Sequence, residues 1–147
     1  MEAMNVQTLS PSLSDRPWAA GAHVAALLAA LLTSWIAGAA GAVAALAVWM
    51  LVRDRHPFAS EHAKEAVNFN LSMLIYTCIA FAIGLLLVGA TVLTLGIGLL
   101  VTLPAGLLLL ALAAAIAIAW FVCSLIAAFK AYDGQVYRYP LTIRLFK

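Results

Sequence analysis

Charge is what this chain has least of. Eight Lys or Arg and six Asp or Glu stand among 147 residues, 10% in all, where an ordinary soluble domain carries roughly 25%. The shortage is concentrated. No Asp, Glu, Lys or Arg occurs in the 64 residues between Glu65 and Lys130, and none in the 34 residues from Ala19 to Val52, where His23 is the one ionisable group. A bilayer crossing needs about 20 apolar residues, so these runs exclude a soluble globular domain and predict a membrane protein. The net charge of +2, with acidic and basic residues interleaved, gives no electrostatic footprint for nucleic acid. Cys78 and Cys123 both fall inside apolar runs, which excludes a disulfide framework and a zinc signature. The chain also lacks a nucleophile elbow and a phosphate-binding glycine loop. It reads as a non-enzymatic protein without a cofactor.

What is present organises the chain as one unit. Residues 1–17 are polar and read as a mobile tail. The run 19–52 would measure about 51 Å as one helix, too long for a core of roughly 30 Å, so it should fold back near Thr33–Gly41, where two glycines lower helix propensity. A signal peptide cut at Ala37-Gly38-Ala39 is the rival reading, but the apolar run outlasts any signal core. The fold class expected is all-α, an integral membrane bundle of four transmembrane helices: two short ones at about 18–34 and 39–53, two longer ones at about 60–88 and 104–130. Ser60 is the candidate N-cap of the third, and the glycine-rich stretch GATVLTLGIGLLVTLPAG the far turn. Trp18 and Trp49 should mark one interface and Trp35 the other. An extended cytoplasmic tail, 131–147, follows. Four crossings put all eight basic residues on one side, cytoplasmic by the positive-inside rule, with both termini there. The same topology predicts Cys78 and Cys123 at similar depth.

The polarity is gathered in EHAKEAVNFN, at 61–70. Glu61, Glu65, Asn68, Ser72 and Tyr76 are spaced four, three, four and four, which places them on one helix face. Asn68, Ser72 and Tyr76 reach apolar depth, where an unpaired polar group is costly. They should face another helix, a water-filled cavity or a partner. Arg138 and Arg144 are the candidate counter-charges for Glu61 and Glu65, so the tail is expected to fold back and pin the start of the third helix. The bland alternative is an interfacial anchor; the sharper one is a substrate path or proton relay. A metal site is disfavoured, since His62 and Glu65 reverse the Glu-x-x-His order of di-metal bundles and do so once. His23 reads as a buried, hydrogen-bonded histidine and His56 as a loop residue. Ala37-x-x-x-Gly41 and Gly38-x-x-x-Ala42 predict close helix packing.

The segments PFASEHAKEAVNFNLSMLIY and YRYPLTIRLFK together resemble the small bacterial membrane proteins of uncharacterised function grouped with the Tic-type chloroplast protein-import component. Trp18 and His23 at the first helix, and Trp49 before a Pro-Phe loop, fit the same pattern; Asn70 stands where that family usually has glutamine. The matching positions are His62, Lys64, Glu65, Asn68 and Phe69, then Tyr137, Arg138, Tyr139, Pro140, Leu141, Thr142 and Arg144, none with a catalytic role. The resemblance implies four membrane helices and kinship with a protein-conducting channel component. The combined expectation is a scaffold of the bacterial cytoplasmic membrane. Its partners would be the lipid bilayer and either a second copy or another membrane protein. The alternative is a channel or transporter component with an aqueous path along Asn68, Ser72 and Tyr76.

Overall fold

The computed structural model describes residues 11–33 and 37–146. The expectations for residues 1–10 and for Trp35 lie outside the described residues. Four helices follow in order: α1, Asp15–Thr33; α2, Ala37–Val52; α3, Pro57–Leu93; α4, Leu99–Tyr132. Among the described residues there is no strand, and the segment after α4 is an irregular tail.

Local chemistry sets the helix ends. At α1, Ser12 Oγ accepts the Asp15 N–H at 3.2 Å, and Asp15 brings a negative charge to the positive end of the helix dipole. The third helix begins at Pro57 rather than Ser60: His56 occupies the N-cap and Pro57 the first turn, where its missing N–H has no carbonyl to meet in any case. Ser60 is buried within that turn. The glycines at 84 and 89 do not end α3, because the helix ladder continues through them to Leu93. The turn comes at Leu95 and Gly96, whose φ values are 51° and 89°, a left-handed pair that the glycine makes tolerable. The fourth helix starts at Leu99 and takes Pro104 into its second turn.

Two helices, α3 and α4, are long and apolar enough to cross a membrane; the expectation of four crossings is corrected to that. The 16 residues of α2 span about 24 Å, short of a core of roughly 30 Å. The first helix spends its opening turn on Asp15, Arg16 and Pro17, which leaves an apolar portion of similar length.

The helices pack through alanine. Ala19, Ala22, Ala26 and Ala30 form the buried stripe of α1; Ala19 packs with Val52 of α2, Ala59 of α3 and Ala131 of α4, and Ala26 with Ala45 of α2 and Ala66 of α3. Small side chains let helix backbones approach closely. The closest approach is at Gly38 and Gly41. A Cβ on Gly38 would lie 2.9 Å from Leu74 Cβ, and one on Gly41 would overlap the Asn70 amide. Ala42 is buried beside them, so the small-residue spacing read in the sequence does mark helix contact.

This packing is confined to one end of the molecule. Buried residues run from Ala59 to Ser72 on α3 and from Ser124 to Ala131 on α4, and between Met73 and Cys123 no residue is buried. The α3–α4 hairpin therefore projects as a bare two-helix unit from a four-helix base. Cys123 packs near Phe69 and Met73, whereas Cys78 is nine residues beyond Phe69, about 13 Å along the helix. The two cysteines are not level.

Candidate functional site

The polar face of α3 is covered by the tail. From Gly134 (φ 77°) the chain climbs beside α3, turns at Pro140 and Leu141 (φ 58°), and descends again. Three members of the sequence-read stripe hold it by its backbone. Tyr76 donates its hydroxyl to the Leu141 carbonyl at 2.6 Å. Ser72 Oγ accepts the Ile143 N–H at 2.8 Å and donates to the Asn68 carbonyl one turn below at 2.7 Å. Asn68 Oδ1 accepts the N–H groups of Leu145 at 3.1 Å and Phe146 at 2.7 Å, while its Nδ2 donates to the Phe146 carbonyl at 2.8 Å. A side-chain amide has two donors and an acceptor oxygen with two lone pairs. Asn68 commits both lone pairs and one donor to backbone groups of two adjacent residues, Leu145 and Phe146, and so recognises the backbone of the tail rather than its side chains.

The charged part of the expectation is met in one place and not in another. Arg144 Nε donates to Glu65 Oε1 at 3.3 Å. Glu61 instead pairs with Lys64 Nζ, one turn along its own helix, at 2.8 Å. Arg138 is exposed and takes part in no ion pair among the described residues. The tail is thus held mainly by neutral hydrogen bonds, with one arginine contact added.

Beneath the tail lies a buried chain of rings that the sequence reading did not assemble. Nε2 of His23 on α1 lies 2.9 Å from Nδ1 of His62 on α3, and Nδ1 of His23 lies 2.8 Å from the Tyr139 hydroxyl of the tail. All three residues are buried. Tyr139 also stacks on Phe69, with ring centroids 3.8 Å apart. Burial pushes the Tyr139 hydroxyl above the ordinary tyrosine range, so it stays a neutral donor or acceptor. Nε2 of His62 is buried without a hydrogen-bond partner among the described residues. Asn70 is a second interior polar group. It donates to the Ala66 carbonyl at 2.9 Å and accepts from Trp120 Nε1 at 3.4 Å, tying α3 to α4. The signal for these residues was present in the sequence: an amide or imidazole at apolar depth needs a partner.

His56 closes the base, where its Nδ1 contacts Asp15 Oδ1 and its ring stacks on Trp18 at 6.2 Å. Among the described residues no group of three or more His, Cys, Asp or Glu side chains is gathered as for a metal ion. Past Tyr76 the polar stripe stops. A groove of about 190 Å³ continues between the hairpin helices, but its walls are Ile79, Ile83, Leu109, Leu112 and Ile116.

These features define an all-helical membrane protein with a bilayer-length hairpin and a C-terminal tail docked on a polar helix face. The chain belongs to the MamF/MmsF family, the magnetosome magnetite crystal formation protein family, which it matches over residues 14–146. Neither the curated proteins nor the solved structures contain a match to it. The resemblance to the Tic-type import component is overturned by this membership. The matched span takes in both motifs that suggested the resemblance, and the reading of an uncharacterised import-related family falls with it.

Proposed function

We propose that the chain is a non-enzymatic scaffold of the magnetosome membrane that serves magnetite crystal formation. In this reading α3 and α4 cross the bilayer and both termini face the cytoplasm. The seven basic residues among the described residues flank the four-helix base, and residues 89–103 at the opposite tip have none, which supports that orientation. The lipid bilayer is then one partner, and a second copy or another membrane protein the other.

The observation that carries the scaffold reading is the tail on the stripe. Asn68, Ser72 and Tyr76 are each engaged by tail backbone atoms, so the groups that would line an aqueous path are already used. The apolar groove beyond Tyr76 offers an ion or polar solute nothing to replace its hydration. A sealed polar layer instead presents a fixed surface, with Arg138, Arg144 and Glu61 outermost.

Complementation tests it. A magnetite-forming bacterium lacking its own member of the family would receive the full chain, and its crystals would be sized by electron microscopy. Restored crystals, with the protein recovered in the magnetosome membrane, are the expected result. A protein that enters that membrane and leaves the crystals unaltered would contradict the proposal.

A further inference from the structure

The ring chain under the tail tolerates few protons, and its geometry sets the limit. His23 spends both ring nitrogens, Nε2 at 2.9 Å from His62 Nδ1 and Nδ1 at 2.8 Å from the Tyr139 hydroxyl. A neutral imidazole carries one N–H and one bare nitrogen, so each contact holds one proton and the chain closes in either direction. When His23 Nε2 donates to His62, Nδ1 accepts from Tyr139; when Nδ1 donates to Tyr139, Nε2 accepts from His62. One added proton still leaves a hydrogen bond at each contact, with His23 donating twice. A second does not. Two charged imidazoles carry N–H on all four nitrogens, so the His23–His62 contact becomes two donors aimed at each other at 2.9 Å.

The first charge is costly as well. His23, His62 and Tyr139 are all buried, and a buried charge without a partner is expensive. On α3 the nearby carboxylates already have counter-charges, Glu61 in Lys64 and Glu65 in Arg144. Around Tyr139 stand Cys123 and Ser124 of α4 and Tyr137 of the tail, with Lys130 of α4 over the Tyr137 ring. The second helix, Ala37–Val52, has no titratable side chain. On α1, Asp15 is taken up by His56, and Arg16 lies against Gly134. A charged His62 would also hold an N–H at Nε2, which has no hydrogen-bond partner among the described residues. Burial, and after it the neighbouring His62, pushes His23 down to about 3.

Tyr139 closes this chain from the tail's side, through its bond to His23 and its stack on Phe69. With the tail lifted, its place beside His23 passes to water, and the rings take up protons near the ordinary histidine value of about 6.5. We propose that the His23–His62 pair is an acid-operated latch: protonation of both rings breaks the contact between them and frees Tyr139, so that the tail lifts from the polar face of α3. Docking is then complete above about pH 6.5 and is lost progressively below it, toward the folded value of His23. Between about pH 7.5 and 5.5 the docking constant should fall about tenfold for each histidine charged only in the released state, and about a hundredfold for both. Release uncovers Asn68, Ser72 and Tyr76, so acid opens the layer that is sealed at neutral pH. The latch goes beyond the scaffold reading and holds whichever partner that layer meets.

The test uses the full chain in phosphatidylcholine nanodiscs, with Cys78→Ala and Cys123→Ala. Spin labels go on Leu51→Cys and Arg138→Cys, both exposed positions. As samples are frozen at successively lower pH, a single distance should give way to a broad distribution. The docked-to-released ratio should fall about tenfold to a hundredfold between about pH 7.5 and 5.5. Asn68→Ala, which loses three bonds to the end of the tail, brings the released fraction into range. His62→Asn puts an amide where Nδ1 stands and takes up no proton, so its ratio should fall about tenfold at most. Glu65→Gln removes the Arg144 ion pair and should keep the wild-type steepness. Nitrogen-15 spectra of the chain without spin labels need no variant: the His23 and His62 rings should be neutral while the tail is docked and should charge at the midpoint of its release. A ratio unchanged over this range overturns the latch. So does a fall in His62→Asn as steep as in the wild type, an acid response that vanishes in Glu65→Gln, or imidazoles that both charge while the tail stays docked.

Discussion

The Tyr139 hydroxyl meets Nδ1 of His23 at 2.8 Å, a bond that joins the tail to the first helix across 116 residues of chain. Tyr139→Phe would keep the stack on Phe69 and leave a buried imidazole nitrogen unpaired, a loss of about 1–3 kcal/mol. Limited proteolysis should cut the tail faster in this variant than in the wild type. Tyr139→Ala, which also loses the ring stack, should be cut faster still.

The same hydroxyl makes tail docking sensitive to alkali. Burial raises its folded pKa, whereas a free tyrosine ionises near 10, so its stabilising contribution is complete below about pH 10 and is lost as the pH rises further. Tail protection, followed by proteolysis or amide exchange across that range, should fall in the wild type. In Tyr139→Phe it should start lower and change less.

Asn68 is the residue whose loss should free the end of the tail. Asn68→Ala removes three bonds to Leu145 and Phe146. These peptide units are partly solvated, so the cost should fall toward the lower end of about 1–3 kcal/mol. Amide exchange at Leu145 and Phe146 should accelerate, while exchange in the alanine-packed base stays slow.

Gly41 and Asn70 should behave as a pair. A methyl at Gly41 would overlap the Asn70 amide and lie 3.0 Å from the Ala26 carbonyl, so Gly41→Ala should destabilise by about 1–3 kcal/mol. Adding Asn70→Ala should recover part of that loss in thermal unfolding in detergent. Gly21 is the control. Nothing lies within 4 Å of a Cβ there, so Gly21→Ala should stabilise the helix by about 0.5–1 kcal/mol.

Glu65 and Arg144 form a partly exposed pair at 3.3 Å, and such pairs contribute about 1 kcal/mol or less. Glu65→Lys should weaken tail protection slightly at low salt, and the double change Glu65→Lys with Arg144→Glu should restore it. An undiminished effect at high salt would mean that Glu65 acts through packing rather than charge.

The membrane character and the polar face of α3 were legible because both depend on side chains alone: apolar runs, and the spacing of Glu61, Glu65, Asn68, Ser72 and Tyr76. What Asn68 and Ser72 bind was not. Their partners in the tail are peptide groups of Ile143, Leu145 and Phe146, and a peptide group leaves no mark in a sequence. The visible candidate was the charge of Arg138, which the fold leaves exposed. The apolar run 19–52 showed that the chain folds back but not how far each arm reaches, since Asp15, Arg16 and Pro17 use the first turn of α1 and the return helix has 16 residues. Gly89 opens the segment expected to turn, yet helical hydrogen bonds within α3 carry the helix past it to Leu93. His23 and Tyr139 were each noted, but their pairing depends on a tail that rises into the bundle, which spacing along one helix cannot reveal.

The most direct measurement is a disulfide across the docked tail in intact membranes. With Cys78 and Cys123 replaced by alanine, Ser72→Cys and Ile143→Cys would be introduced together, at the site where Ser72 Oγ now accepts the Ile143 N–H at 2.8 Å. Oxidation should close a link within a single chain in nearly all molecules. No link, or links only between chains, would contradict the sealed stripe and the scaffold reading built on it.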